Sequence, residues 1–271
     1  MDLQALVIVR GGGDLATGTI HRLHRCGFPV LVLETAAPSA IRRTVAFCEA
    51  VYTGAQTVEG VTCRRVDAPD QALALLRAGG LPLLVDPRGA AIGALKPLAV
   101  VDAILAKRNL GTARTMAPLT IGLGPGFTAG QDVDAVIETM RGHDLGRVLL
   151  HGAAQPNTGV PGLIAGYGAE RVIHSPAAGP LRPVRHIGDT VCRGETIAVV
   201  GETPVPATLT GLLRGLIREG YPVTEGLKIA DIDPRVSEYE NCFKISDKAR
   251  CIAGGVVEAL LALHAQKGLR W

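Results

Sequence analysis

The chain has 271 residues, 28 Lys and Arg against 25 Asp and Glu, a formal net charge of +3, 34 glycines and only 3% aromatic residues. That length buries a good core in one large or two ordinary domains, the scattered arginines form no basic stripe of the kind that grips nucleic acid, and no apolar run approaches the roughly 18 residues of a membrane helix. The six cysteines, at 26, 48, 63, 192, 242 and 251, show no CxxC and read as reduced thiols, and Asp2 leads straight into a strand without a basic leader, so a cytoplasmic location is expected.

In chain order, apolar runs predict strands at 5–10, 29–34, 61–66, 82–86, 118–123 and 147–152, and 3.6-residue periodicity predicts helices at 14–26, 69–79, 98–108 and 132–141. This alternation points to an α/β domain: a parallel sheet with helices on both faces, whose ligands sit beyond the carboxyl ends of the strands. Two glycine loops fall at such ends, each read as a strand–loop–helix unit able to aim unpaired backbone N–H groups at a phosphate.

The first loop is Arg10-Gly11-Gly12-Gly13-Asp14-Leu15-Ala16. Gly11-x-Gly13-x-x-Ala16 fits the dinucleotide fingerprint with Ala in the third place, and Glu34 closes the next strand about where an acidic residue meets a ribose hydroxyl. A bare tight turn with Asp14 as its N-cap is the competing reading, and a carboxylate at Asp14 would repel a pyrophosphate. Arg42 and Arg43 follow Glu34, where a loop could fold over the ribose end with bidentate phosphate contacts, or form a solvated surface pair. The second loop runs from Gly122 to Gly130. Gly124, Gly126 and the Thr128 hydroxyl are its candidate binding groups, and it is expected to share one crevice with Gly11–Gly13. Asp132 and Asp134 would then stand in the first turn of the helix that follows.

Fewer signals stand elsewhere. Lys107-Arg108-Asn109 end the expected helix at 98–108, where cations suit the helix terminus. His21 and His24 have a chelating spacing but no evident third ligand, so no metal is expected. No nucleophile arrangement can be assembled; among the cysteines, Cys48 and Cys242 are the expected exposed candidates for carrying sulfur or selenium, with a buried apolar role as the default.

From about residue 175 the texture changes to short strands punctuated by glycine. Residues 179–202 align without gaps on 211–234, with eight of twenty-four positions identical: Gly179/Gly211, Leu181/Leu213, Arg182/Arg214, Gly188/Gly220, Val191/Val223, Gly194/Gly226, Ile197/Ile229 and Ala198/Ala230. Two such β-units, each too small to bury its own apolar face, imply a pseudo-two-fold sandwich. The G-D-x-V-x-x-G-x-x-I-A pattern resembles biotinyl and lipoyl domains, yet the join at 201–208 lacks the carrier lysine, and Lys228 lies inside the second unit. A C-terminal helix near 249–266 follows, interrupted by Gly254-Gly255.

VIVRGGGDLATG at 7–18, AIRRTVAF at 40–47, DAILAKRNLGT at 102–112, GLGPGFTAGQDVDAVIETMRGHDLGRV at 122–148, PNTGVPG at 156–162 and SDKARCIAGGVVEA at 246–259 together resemble the YqeB family, proteins of the selenium-dependent molybdenum hydroxylase maturation system. The first part also resembles XdhC-type proteins, which bind molybdenum cofactor. The resemblance implies an accessory protein with a Rossmann-like nucleotide- or cofactor-binding domain at 1–170, a lipoyl/biotinyl-like β barrel-sandwich without carrier lysine at 171–240, and a C-terminal helix at 241–271 that packs back on the core. It implies a nucleotide (NAD(P)-like) or molybdopterin-type cofactor, and a molybdenum hydroxylase or other cofactor-maturation protein as partner. Catalytic turnover and homo-oligomerisation stay open. An NAD(P)-dependent oxidoreductase and a non-catalytic docking scaffold for a molybdoenzyme are the alternatives.

Overall fold

The computed structural model describes residues 3–160 and 162–270. They form a mixed α/β protein that divides into two compact units. Unit 1 comprises Met1–Pro38, Ala46–Asn157 and Ile245–Trp271; unit 2 comprises Ser39–Val45 and Thr158–Lys244.

Unit 1 opens with β1 (Val7–Arg10), α1 (Asp14–Arg25) and β2 (Val30–Glu34). After the short α2 (Ala50–Thr53) come the antiparallel pair β3 (Ala55–Val58) and β4 (Val61–Val66), then α3 (Pro69–Arg77), β5 (Leu81–Val85), α4 (Ala90–Leu95) and β6 (Ala99–Asp102). β7 (Leu119–Leu123), β8 (Thr128–Ala129), β9 (Ala135–Ile137), β10 (Val148–Leu149) and β11 (Gly152–Ala153) follow. Among the described residues the main sheet has nine strands in the order β10-β9-β7-β6-β1-β2-β5-β4-β3, and β8 pairs with β11 apart from it. Neighbouring strands from β9 to β4 are parallel, and only the edges β3 and β10 are antiparallel. Ile8, Leu31, Leu33, Leu84 and Val100 of the sheet pack with Ala72 and Leu76 of α3 and with Ala91 and Ile92 of α4.

Two expected helices are absent. Residues 98–108 contain β6, buried along its whole length between β1 and β7, followed by an irregular loop. Residues 132–141 contain β9, also fully buried, so the second glycine loop leads into a strand and offers no helix end. In both segments Val and Ile suit a strand covered on both faces, which reads as a continuous apolar run. The remaining helix of unit 1, α5 (Asp247–Gln266), is capped by Ser246, whose side chain accepts the Ala249 N–H at 3.2 Å.

Unit 2 is built from β12 (Val172–His174), β13 (Gly179–Pro183), β14 (Thr190–Val191), β15 (Thr196–Val200), β16 (Thr203–Pro206), β17 (Gly211–Leu216), β18 (Pro222–Val223) and β19 (Lys228–Asp233). They form two four-stranded sheets, β12-β19-β17-β14 and β16-β15-β13-β18, around one apolar core. A shift of 32 residues, the offset between Gly179 and Gly211, carries β13 to β17, β14 to β18, β15 to β19 and β12 to β16, so each sheet order becomes the other. The hydrogen bonds repeat as well. Gly188 N–H donates to Leu213 O at 2.9 Å and Gly220 N–H to Leu181 O at 2.7 Å, while Gly194 N–H donates to Ala207 O and Gly226 N–H to Ser175 O.

Candidate functional site

In unit 1 the chain adds β2 on one side of β1 and later crosses to add β6 on the other, so the topological switch point lies between β1 and β6. The residues at the carboxyl ends of these two strands are joined there. Arg10 ends β1 with its side chain buried; its guanidinium lies 3.5 Å from Asp102 Oδ2 at the end of β6 and donates to the Thr112 hydroxyl, which in turn donates to Asp102 Oδ2 at 2.6 Å. Arg10 is thus the counter-charge of a buried aspartate.

The three glycines of the first loop serve different needs. Gly11 has φ +96°, and a Cβ there would stand 2.9 Å from Ala103 O, so the loop after β6 closes directly on it. Gly12 donates its N–H to Glu34 Oε2 at 2.7 Å and accepts the Cys48 N–H at 2.8 Å. Gly13 is the N-cap residue of α1, with extended φ −64° and ψ 179°, and a Cβ there would meet no heavy atom within 4 Å. Having no side chain, it caps nothing, and among the described residues the N–H groups of Gly13, Leu15 and Ala16 have no protein acceptor. Asp14 sits in the first turn of α1, where a carboxylate suits the helix dipole.

Glu34 closes β2 as the fingerprint requires, but both of its oxygens are engaged: Oε2 by Gly12 and Oε1 by the Thr35 N–H at 2.7 Å. Burial raises its carboxyl above the usual range, against the lowering effect of those two amides. Arg42 and Arg43 belong to unit 2. Arg42 donates to the carbonyls of Asn241 and Lys244, each at 3.0 Å, and Arg43 to that of Leu216 at 2.7 Å.

The second loop is packed rather than open. A Cβ on Gly122 would strike the Phe127 ring at 2.6 Å; on Gly124 (φ +76°) it would meet Thr139 Oγ1 at 2.6 Å, and on Gly126 (φ +109°) the Arg108 backbone at 2.6 Å. Thr128 lies in β8, its N–H donating to Asp132 Oδ2 at 2.8 Å. Asp134, expected in a helix, is a buried clamp that accepts from the Thr120 amide and hydroxyl and pairs with Arg114 and Lys267.

A cavity of about 150 Å³ at this end of the sheet is lined by Leu15 from the first turn of α1, Leu105 and Lys107 from the loop after β6, Leu123 and Pro125 from the second glycine loop, and Thr139 and Asn157. The two glycine loops therefore reach one crevice, through Leu15 on one side and Pro125 on the other. Leu105 (φ +59°) and Lys107 (φ +62°) both hold left-handed backbone, which costs a non-glycine residue on the order of 1 kcal/mol or more and clusters at functional sites. Lys107 was visible in the sequence as the terminus of a helix that does not form and as part of the segment 102–112. Thr139 and Asn157 carried no signal of their own.

Cys48 and Cys242 are buried, while Cys26, Cys192 and Cys251 are exposed. Burial, then the charges of Glu34, Glu49 and Asp14, push the Cys48 thiol well up, and burial raises that of Cys242. Neither is an exposed carrier of sulfur or selenium. Among the described residues no three His, Cys, Asp or Glu side chains are placed to hold a metal ion, and no helix is long and apolar enough to cross a membrane.

No family model matches the chain. It is 53% identical over 261 residues to YqeB of Escherichia coli (strain K12), an alignment covering 96% of this chain and 48% of that protein. The chain thus spans about half the length of the curated relative it matches. Among solved structures, the ectoine utilization protein EutE (DoeB) from Ruegeria pomeroyi is 10% identical, with 83% of this chain and 85% of that chain covered and a TM-score of 0.25. A succinylglutamate desuccinylase/aspartoacylase from Rhodobacter sphaeroides is 14% identical, with 84% and 85% covered and a TM-score of 0.26. At such scores neither fold nor activity transfers.

Proposed function

We propose that this chain is an accessory protein in the maturation of selenium-dependent molybdenum hydroxylases, and that it binds the phosphate-bearing end of a nucleotide or molybdopterin-type cofactor at the carboxyl ends of β1, β6 and β7. The observation that carries this reading is the crevice lined by both the start of α1 and the second glycine loop, at the switch point of a parallel sheet. The residues present fit a phosphate. Gly13, Leu15 and Ala16 offer amides at a helix N-terminus, and Lys107 adds a cation at the rim. At about 150 Å³ the cavity is smaller than the roughly 300 Å³ at which small-molecule sites begin, so it would enclose the phosphate and leave the rest of the ligand at its mouth.

Within this reading unit 1 is a Rossmann-like binding domain, and unit 2 a lipoyl-like sandwich that has lost its attachment point and serves to dock a hydroxylase or another maturation protein. The ligand supplies any redox or group-transfer chemistry; the chain's own part is to hold its phosphate against the α1 amides and to keep Arg10 and Asp102 neutralised beneath it. A nicotinamide nucleotide is the second reading, favoured by the fingerprint and by Glu34, although a ribose hydroxyl would have to share a carboxylate already held by two amides. Mass spectrometry of ligand co-purifying with the chain from a molybdenum-replete host separates the two. A pterin or its dinucleotide supports the first, NAD(P) with nicotinamide-linked turnover the second, and no retained or titratable nucleotide sinks both.

A further inference from the structure

The two ends of α1 face different surroundings. Its last turns, the turn between β3 and β4, and the first turn of α5 enclose a solvent-open cavity of about 250 Å³ lined by His21, Arg22, Arg25, Cys26, Glu59 and Arg250, among others. Its charge is lopsided: three guanidiniums face one carboxylate. Glu59, held at φ +45°, gives both oxygens to Arg250 at 2.6 and 2.7 Å and also accepts the Ile245 N–H at 2.9 Å. Glu59 and Arg250 thus form a fixed, neutral pair on one wall. Among the described residues, Arg22 and Arg25 have neither a carboxylate within ion-pairing distance nor a side-chain hydrogen bond, and His21 Nε2 lies 3.4 Å from the Glu59 carbonyl, near the Glu59 carboxylate and His24.

Basic residues in the last turn of a helix complement its dipole, and that accounts for a preference for Arg at these positions. It does not account for a concave wall made by a second helix, with Arg250 held rigid by its own carboxylate, nor for side-chain-free Gly18 at the base of the cavity. A Cβ on Gly18 would stand 2.8 Å from Ala249, so the helices cross closely and the arginines flank the crossing. Arg22 and Arg25, one helical turn apart, present two planar donor forks to the same space.

We propose that this cavity binds a small dianion of the phosphate class, an inorganic phosphate or a phosphomonoester, held by Arg22 and Arg25 and fenced by the Glu59–Arg250 pair. Tetrahedral oxyanions match guanidinium forks bidentately, and the volume takes a phosphate with a few further atoms. The site is distinct from the crevice of the proposed function. Arg25 lies ten residues along α1 from Leu15, about 15 Å at the helical rise.

Cys26, exposed at the mouth, reports occupancy. In the wild-type chain, iodoacetamide labelling at each cysteine is followed by peptide mass spectrometry while inorganic phosphate is titrated at constant ionic strength. Phosphate should slow Cys26 labelling saturably and leave Cys192 and Cys251 unchanged. R22Q and R25Q should each weaken phosphate binding by calorimetry roughly tenfold, the order of one charge-assisted hydrogen bond. A Gly13→Val variant should bind phosphate at this cavity, read through Cys26, as the wild type does. Cys26 labelling indifferent to phosphate in the wild type, or protection that persists undiminished in the double arginine variant, overturns the proposal. The wild-type measurement decides even if the variants fold poorly.

Discussion

Gly12 and Glu34, at the carboxyl ends of adjacent parallel strands, are joined by a 2.7 Å hydrogen bond from the glycine amide to the carboxylate. The contact fixes the glycine loop and at the same time places a negative charge beneath it. Because burial raises the folded-state pKa of Glu34 above its unfolded value, its protonated form is favoured by folding. That contribution is full below the unfolded pKa near 4.5 and is lost as pH rises through the raised folded value. The stability of the wild type relative to Glu34→Gln should therefore improve as pH falls from 7 towards 4.5, measured by paired thermal melts. A difference that is flat or shrinks over this window contradicts the assignment.

Gly13→Val should leave the fold intact, since the position has ordinary φ and open space, yet it sets a branched side chain before the first-turn amides of α1. Losing two charge-assisted hydrogen bonds should weaken binding of a phosphorylated ligand about a hundredfold. Gly11→Ala should do the opposite, lowering stability by roughly 2–4 kcal/mol through its left-handed φ and its contact with Ala103 O. Calorimetry and denaturant unfolding on the two variants distinguish a binding loop from a mere turn; equal ligand affinity in Gly13→Val would leave only the turn.

The adjacent glycines of α5 should diverge. A Cβ on Gly255 would stand 2.1 Å from Gly146 O, whereas one on Gly254 would lie 3.5 Å from the end of the Arg22 side chain. Gly254→Ala should stabilise the chain by about 0.5–1 kcal/mol from helix propensity. Gly255→Ala should destabilise it by 3 kcal/mol or more, on the order of the largest core substitutions. Thermal unfolding that ranks them the other way would show that α5 packs differently.

Intact-mass measurement of the chain from a host with active biotin and lipoate ligases should give the unmodified mass, because the join at 201–208 holds no lysine. A mass increment of either group would refute this.

The legible parts of the sequence were those with local punctuation. Gly11–Gly13 between an apolar run and an amphipathic segment fixed β1, α1 and β2, and the spaced glycines of 179–234 disclosed a repeat that the sheets follow strand for strand. The failures share one cause. Val133, Val136, Ile137 and Met140, like Leu98, Val101 and Leu105, fall at helical spacing, but each set spans a fully buried strand of only three or four residues. Periodicity cannot separate so short a buried strand from a helix turn. The partners of Arg42, 199 and 202 residues away at Asn241 and Lys244, and of Arg43, 173 away at Leu216, carry no local signal at all.

Because α5 seals unit 1 by laying Ala249 against Gly18 and Gly255 against Gly146, the ribosome sets a delay on its folding. The sheet strands emerge first, and the surface they need covered waits for residues 247–266, on the order of tens of seconds at ordinary synthesis rates. During that interval residues 158–244 of unit 2 are made while the α1 side of unit 1 stays unsealed. A chain halted before residue 247 would thus expose apolar surface in its first-made part, and its fate would be decided by chaperones rather than by its own stability.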